Sequence, residues 1–265
     1  MQALHIPEPL RVAKEGGLHV ATYNIHKGFS QLNRRLTVHA LRDQLRTLAP
    51  DILFLQEVQN LHHGHARRHA DWPVQSQSEF LADSVWSDHA YGCNAIYDQG
   101  HHGNAILSRF PIVSSENQDV SSHRFERRGL LHCEIAVPGL AQTLHCVCVH
   151  FALFEGGRRR QLEALATRVA RLVPPDAPLI VAGDFNDWRD TASPLLQRKL
   201  GLGEAFHSVH GEPAMSFPSN LPVLALDRIY VRGFTVRNAR TMKGREWSRI
   251  SDHMALSAEL GPGAP

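Results

Sequence analysis

The sequence predicts an α/β fold. Short apolar runs bounded by polar, glycine or proline residues recur along the chain, and stretches with the 3.6-residue apolar period of a helix lie between some of them. Hydrophobic residues make up 43% and charged residues 20%, enough apolar material for a packed core and too little charge for a disordered chain.

The first predicted strand is "LHVATYN" (Leu18–Asn24), followed by a helix over Arg34–Leu48 with Leu36, Leu41, Leu45 and Leu48 on one stripe. A second strand, "DILFLQE" (Asp51–Glu57), leads into the polar, histidine-rich stretch Asn60–Pro73, read as a loop. It is either solvated filler, or a substrate-facing rim or adventitious metal contact, and "HHG" at 101–103 carries the same readings. A short helix is expected over Ser78–Trp86, then strands "GNAILSR" (Gly103–Arg109), "GLLHCEIAV" (Gly129–Val137) and "TLHCVCVHF" (Thr143–Phe151). Leu162, Leu165, Val169 and Leu172 recur at helical spacing and predict a helix over Arg158–Leu172, closed by Pro174-Pro175. "PLIVAGD" (Pro178–Asp184), "LDRIYV" (Leu226–Val231) and "HMALSAEL" (His253–Leu260) complete the strands; residues 1–17 and 261–265 read as peripheral tails.

A net charge of +2 permits anionic substrates without calling for a nucleic-acid surface. Of the four cysteines, Cys146 and Cys148 stand two apart and Cys93 and Cys133 are isolated, which is neither a zinc spacing nor a disulfide framework. Reduced, packed thiols and a cytoplasmic location are the expectation. No signal-peptide pattern opens the sequence and no window approaches the roughly 20 apolar residues of a membrane span.

Several polar residues share one placement, at or just past the carboxyl end of an apolar strand: Asn24, Glu57, His150 and Asp184. Asp227 lies inside a short strand and Ser251-Asp252-His253 precedes the last one. Singly, each has an ordinary reading: Asn24 as a turn cap, Glu57 as a strand-exit cap or the partner of a lysine, His150 as a core histidine, Asp227-Arg228 as an internal ion pair, Asp252 as a turn residue. Together they point to one site, because strand ends gather in space whatever their separation in sequence.

The segments "TYNIHKG", "DILFLQEV", "GNAILSRFPI", "VCVHF", "RRRQ", "VAGDFNDW", "LDRIYV" and "SDHMAL" resemble, in order, those of the endonuclease/exonuclease/phosphatase superfamily of metal-dependent phosphoesterases. The resemblance runs over residues 22–256 and implies a single domain, a four-layer α/β/β/α sandwich of two mixed β-sheets packed face to face and flanked by helices. It also implies roles: Glu57 as the principal metal carboxylate, assisted by Asn24 and Asp252; Asp184 on the attacking water; Asn186 on the scissile phosphate. His253, partnered by Asp227, and His150 would bind phosphoryl oxygens. Arg158 and Gln161 match an R-x-x-Q pair opening the following helix, with Arg158 as a phosphate ligand. The implied cofactor is Mg²⁺, with Mn²⁺ as a substitute, a hard cation content with one or two carboxylates and waters.

The expected activity is hydrolysis of a phosphodiester of the nuclease type, with a phospholipid headgroup or another small phosphoester as the alternative and a non-catalytic phosphate binder as the contrasting class. The clusters Arg124–Gly129 and Gly156–Gln161 either grip phosphates or are solvated faces, and Trp188 and Trp247 either rim the site or pack. Within "GDFND", Gly183 is expected to allow a tight turn and Phe185 to anchor in the core. Asp184 and Asn186 would then project to one side, with Asp187 left as a turn or supporting residue.

Overall fold

Two six-stranded sheets stack face to face between two layers of helices. The structure, a computed structural model, describes residues 17–31, 34–122 and 126–263. In chain order the described strands are β1 (Leu18–Asn24), β2 (Ile52–His62), β3 (Asp88–Tyr97), β4 (Gly100–Ser108), β5 (Ile112–Asp119) and β6 (Gly129–Ile135), then β7 (Leu144–His150), β8 (Leu179–Asp184), β9 (Gly203–Glu204), β10 (Asp227–Arg232), β11 (Phe234–Thr241) and β12 (Leu256–Pro262). The helices are α1 (Val38–Leu48), α2 (His63–Arg68), α3 (Gln77–Ala82), α4 (Glu155–Leu172), α5 (Ala192–Leu200), α6 (Ala205–His210) and α7 (Arg245–Ser248). One sheet runs β11-β12-β1-β2-β4-β3, the other β5-β6-β7-β8-β10-β9.

Strand parity builds the layers. Val20, Ile52, Phe54, Ile106 and Leu256 of the first sheet meet Cys146, Cys148, Ile180, Ala182 and Ile229 of the second in one buried core between the sheets. The alternate residues face outward under helices: Tyr23, Leu53 and Leu55 against Leu41 and Leu45 of α1, and Val147, Val149 and Val181 against Leu162, Leu165 and Val169 of α4. This is the expected four-layer sandwich.

Each sheet holds one parallel pair, β1 with β2 and β7 with β8, joined through α1 and α4 respectively. Parallel pairing puts both carboxyl ends at the same edge. Asn24, His150 and Asp184 end their strands there, Glu57, midway along β2, comes level with Asn24 through the β1–β2 register, and the antiparallel strands β10 and β12 start from that edge.

Several local expectations are corrected. The stretch from Asn60 is no loop at first: β2 runs on to His62 and the next six residues are α2. Residues 101–103 lie within β4. α1 starts at Val38 rather than at 34, and α4 starts at Glu155, three residues before the expected Arg158. β3, β5, β9 and β11 show no apolar run in sequence; β5, "IVSSENQD", is a largely exposed edge strand with nothing apolar to bury on its outer face. Gly261 and Pro262, expected in a frayed tail, pair with Thr235 and Phe234 in β11. Cys133, Cys146 and Cys148 are packed thiols, whereas Cys93 is exposed on β3. Residues 1–16, Arg124 of one cationic cluster and residues 264–265 lie outside the described residues.

Candidate active site

The inward phase of the strands changes from apolar to polar at the sandwich edge. On the second sheet, His150, Asp184 and Asp227 occupy one rung across β7, β8 and β10. They continue the same faces that carry Cys148, Ala182 and Ile229 into the core. On the first sheet, Asn24 pairs in register with Gln56. The Gln56 Nε2 donates to Thr22 Oγ1 at 3.2 Å and contacts Cys148 Sγ at 3.2 Å, tying the sheets together beneath the site.

Parity alone would aim Glu57 at the helix layer. The β2–β4 register shifts between Leu55 and Val58, and Glu57 takes a left-handed φ of 58°, which redirects it. Its Oε1 then accepts from Asn24 Nδ2 at 3.5 Å, and its Oε2 lies 3.6 Å from Lys27 Nζ with no hydrogen bond of its own. Burial pushes the Glu57 carboxyl upward, but Lys27, His26 and His253 outweigh it and hold the group below the ordinary carboxylate range.

Asp184 is the hub. Its Oδ2 accepts from Asn24 Nδ2 at 3.1 Å and is approached by His150 Nε2 at 3.5 Å and His253 Nε2 at 3.8 Å. Its Oδ1 accepts from the Asn186 backbone N–H at 2.9 Å. Burial raises its pKa against the opposing pull of the His253 cation and these hydrogen bonds, with Asp227 adding to the rise. His253 Nδ1 bonds Asp227 Oδ2 at 2.8 Å. Burial disfavours charge on this ring, yet the Asp227 and Asp184 carboxylates together overcome it, and its pKa is raised to about 10. For His150, burial and then the Arg128 and His253 cations push the pKa well down. The contact of His150 with Asp184 is thus one between a neutral imidazole and a carboxyl group; the short distance alone does not make it an ion pair.

Among the described residues at this edge, two groups of side chains can hold a cation. Asp184, Asp227 and His253 converge within 4.8 Å, but the Asp227–His253 hydrogen bond occupies two of those atoms. Glu57, with its buried, unbonded Oε2, stands beside the Asn24 amide and offers the hard oxygen that Mg²⁺ or Mn²⁺ requires. Asp252 lies across the turn, its Oδ1 3.3 Å from His26 Nδ1. These residues fit a divalent cation.

Asp227 does not form an ion pair with Arg228. The buried Arg228 guanidinium donates instead to the main-chain carbonyls of Asp227 and Asp187. Asp187 caps α5, accepting from the Ala192 N–H at 2.7 Å and Thr191 Oγ1 at 2.9 Å. Phe185 is fully buried against Phe151 and Tyr230. Gly183 serves no turn: it lies within β8 with φ 146°, and a Cβ there would stand 2.0 Å from the Val149 carbonyl oxygen. Asn186, also left-handed at φ 50°, donates Nδ2 to Phe151 O at 2.9 Å and keeps a second amide N–H.

Arg158 is not brought to this cluster. Its guanidinium donates to Leu153 O and lies 4.5 Å over the Trp188 ring, beside a separate cavity lined by Phe151, Phe185 and Leu195. Gln161 accepts from Ala152 N and donates to Val120 O, pinning the loop after β7. Trp247 is buried, edge-on to Tyr23.

In front of Glu57 and His150 opens a cleft of about 750 Å³, lined also by Lys27, Tyr97, His102, Arg127, Arg128 and Arg160. Sequence reasoning marked His102, Arg127, Arg128 and Arg160 only as members of segments that either face substrate or are solvated, and it missed Lys27 and Tyr97. Lys27 sits in "HKG", three residues after Asn24, so its proximity was readable; its left-handed turn at φ 60° was not. His102 faces the cleft from β4, stacked on Tyr97 at 5.4 Å, and burial lowers its pKa to about 4.

Comparison with known proteins places the chain in a family and a fold. Residues 21–253 match the model of the Endonuclease/Exonuclease/phosphatase family. The chain is 48% identical over 241 residues to the uncharacterized protein YbhP of Escherichia coli K12, spanning 91% of this chain and 95% of YbhP. Among solved structures, an endonuclease/exonuclease/phosphatase of Beutenbergia cavernae superposes with a TM-score of 0.77 at 18% identity, over 94% of this chain and 72% of that one. A humanized D. rerio TDP2 superposes with a TM-score of 0.67 at 20% identity, over 92% of this chain and 99% of that one. At such identities these structures share the fold with this chain. No helix among the described residues is long and apolar enough to cross a membrane.

Proposed function

This chain belongs to the endonuclease/exonuclease/phosphatase family, a family of phosphoesterase hydrolases that generally use divalent metals, and we propose that it is a metal-dependent phosphodiesterase of the nuclease type. The observation that carries this reading is the hydrogen-bonded series Asp227–His253, with His253 Nε2 3.8 Å from Asp184, beside the unbonded Glu57 oxygen. Phosphoester hydrolysis needs an oriented water, a proton acceptor for it and positive charge on the phosphoryl oxygens. Asp184, its pKa raised by burial, is placed to hold the water and take its proton. His253, kept protonated by Asp227, donates from Nε2 to a phosphoryl oxygen as negative charge develops there. Asn186 offers its remaining amide N–H to the same group, and His150 steadies the Asp184 carboxyl from the other side. Glu57, Asn24 and Asp252 would hold Mg²⁺ or Mn²⁺, which when bound supplies positive charge against the phosphoryl oxygens.

A phospholipid-type diester is the second reading, favoured by the exposed Leu153 and Phe154 at the lip of the cleft. A non-catalytic phosphate binder is disfavoured because Glu57, Asp184, Asn186, Asp227, Asp252 and His253 are all present. The test is hydrolysis of bis(p-nitrophenyl) phosphate against p-nitrophenyl phosphate with Mg²⁺ or Mn²⁺, with Glu57→Ala as the blank. Asp184→Asn and His253→Gln are expected to lower turnover on the diester by about 10²-fold or more. Either variant retaining the wild-type rate would remove that residue from the mechanism.

A further inference from the structure

We propose that His102 is a further ligand of the cation at Glu57, and that its ring nitrogen makes the site select a first-row transition-metal dication over Mg²⁺. The inference rests on the metal-dependent reading and specifies the donor set that would hold the ion.

The strand gives His102 its direction. Every register shift beside β4 adds its extra residue to β2 or β3, so Ile106, Asn104 and His102 share one phase of an unbroken strand. Ile106 lies in the core between the sheets, which makes Asn104 and His102 the polar continuation of that face toward the site. Across from them, β2 carries the irregularity. Leu55 pairs with Ala105 and Val58 with Gly103, so Gln56 and Glu57 together stand opposite the single Asn104. His102 pairs with Gln59, two residues on from Glu57, and both Glu57 and His102 line the cleft. Of the charged groups around the His102 ring, the Glu57 carboxylate acts on it most strongly, ahead of Lys27 and Arg128.

Three buried donor atoms along this stretch have no hydrogen bond: Glu57 Oε2, His102 Nδ1 and Asn104 Oδ1. The Asn104 amide cannot turn to pair its oxygen, because Nδ2 spends both hydrogens on the Gly129 and Cys148 carbonyls, at 3.1 and 3.3 Å. His102 is only 9% exposed, and Tyr97, stacked on it at 5.4 Å and 22°, fixes the plane of its ring. Buried polar atoms are rarely left unpaired, and a cation shared between neighbouring ones satisfies them together.

The donor types decide which cation. Carboxylate and amide oxygens alone suit Mg²⁺, which keeps its waters and takes hard ligands. An imidazole nitrogen among them moves the preference toward the first-row series, whose ions bind nitrogen more strongly. His150 is less available for this part, since its Nε2 already faces the Asp184 carboxyl.

Electron spin-echo envelope modulation of Mn²⁺ bound to the substrate-free protein reads the ligand directly, because a coordinated imidazole imprints the modulation of its bonded nitrogen. The wild type is expected to show it and His150→Asn to retain it. His102→Phe, which keeps a ring for Tyr97 to stack on, is expected to lose it. Competition of Mg²⁺ against Mn²⁺ is expected to show the preference for Mn²⁺ falling by about tenfold in His102→Phe. Melting temperature verifies that this variant is folded, and His102→Gln, a smaller substitution, is expected to give the same loss. Mn²⁺ bound without nitrogen modulation in the wild type, or modulation undiminished in either folded variant, would overturn the proposal while leaving Glu57 as the metal carboxylate. Modulation lost in His150→Asn but kept in His102→Phe would also overturn it, giving the part to His150. Absence of any Mn²⁺ binding to the wild type would instead bring down the metal-dependent reading, and the proposal with it.

Discussion

Replacing Lys27 by Met should tighten divalent-metal binding, although Lys27 is no ligand. Its ammonium lies 3.6 Å from the Glu57 Oε2. It therefore supplies to that carboxylate the charge a metal would supply, and it repels the metal as well. Two unit charges at that separation attract by about 1 kcal/mol at the dielectric of water and by about 4 to 5 kcal/mol at an effective value of 20. The Lys27 side chain is 36% exposed, so the water end of the range governs and salt weakens it further. The expected gain is about 1 kcal/mol, or roughly fivefold in the dissociation constant. Mn²⁺ titration followed by electron paramagnetic resonance, without substrate and at 0.15 M salt, measures it directly. Raising the salt should bring wild type and Lys27→Met together, and Glu57→Ala should abolish the binding in both. Unchanged or weaker Mn²⁺ affinity in Lys27→Met would refute the argument that Lys27 and the metal share Glu57.

In metal-free buffer, stability should pass through a maximum near neutral pH. The pKa values of His150, His102 and His132 are all lowered by burial, so the unfolded chain binds more protons than the native one below about 6.5 and stability falls as pH drops; the raised Asp184 only partly opposes this. The raised pKa of His253 acts the other way. Its contribution is whole below the unfolded value of 6.5 and is lost as pH rises toward about 10, at about 1.4 kcal/mol per pH unit. Melting curves in EDTA from pH 4.5 to 9.5 should show both limbs, and Asp227→Asn should flatten the alkaline one; stability still climbing between pH 8 and 9.5 would contradict the His253 assignment. Gly183→Ala should cost about 3 kcal/mol or more, because its Cβ meets the Val149 carbonyl and φ 146° strains any other residue; a loss below 1 kcal/mol by denaturant titration would show that β7 and β8 yield there.

Much of the site was legible because chemistry and parity coincide. Asn24, His150 and Asp184 end runs whose alternate residues are core, so each stands in the inward phase where the core stops. The pairing of Asp227 with His253 was not readable from spacing, since it depends on β10 opposing β8 in a register that sets Asp227 against Asp184. Lys27, Glu57 and Asn186 were harder still. Each takes a positive φ, where neither the period of a strand nor that of a helix says where a side chain points.

Arg158, assigned to phosphate by the resemblance of its R-x-x-Q pair, is placed elsewhere by the phase of its helix. A helix starting at Arg158 would put that residue at the open end of α4, free to reach a phosphate. The helix in fact starts at Glu155, with Phe154 as its N-cap, which places Arg158 at the end of the first turn and turned inward. There it is 5% exposed, bonded to Leu153 O and stacked on Trp188. At about 100° per residue, Arg160 lies roughly 200° around the helix from Arg158, on the side that meets the cleft. The "GGRRRQ" segment therefore divides by phase. Arg158 and Gln161 hold the loop beneath the site, and the arginine between them that lines the cleft, Arg160, was marked in sequence only as one member of the cationic cluster.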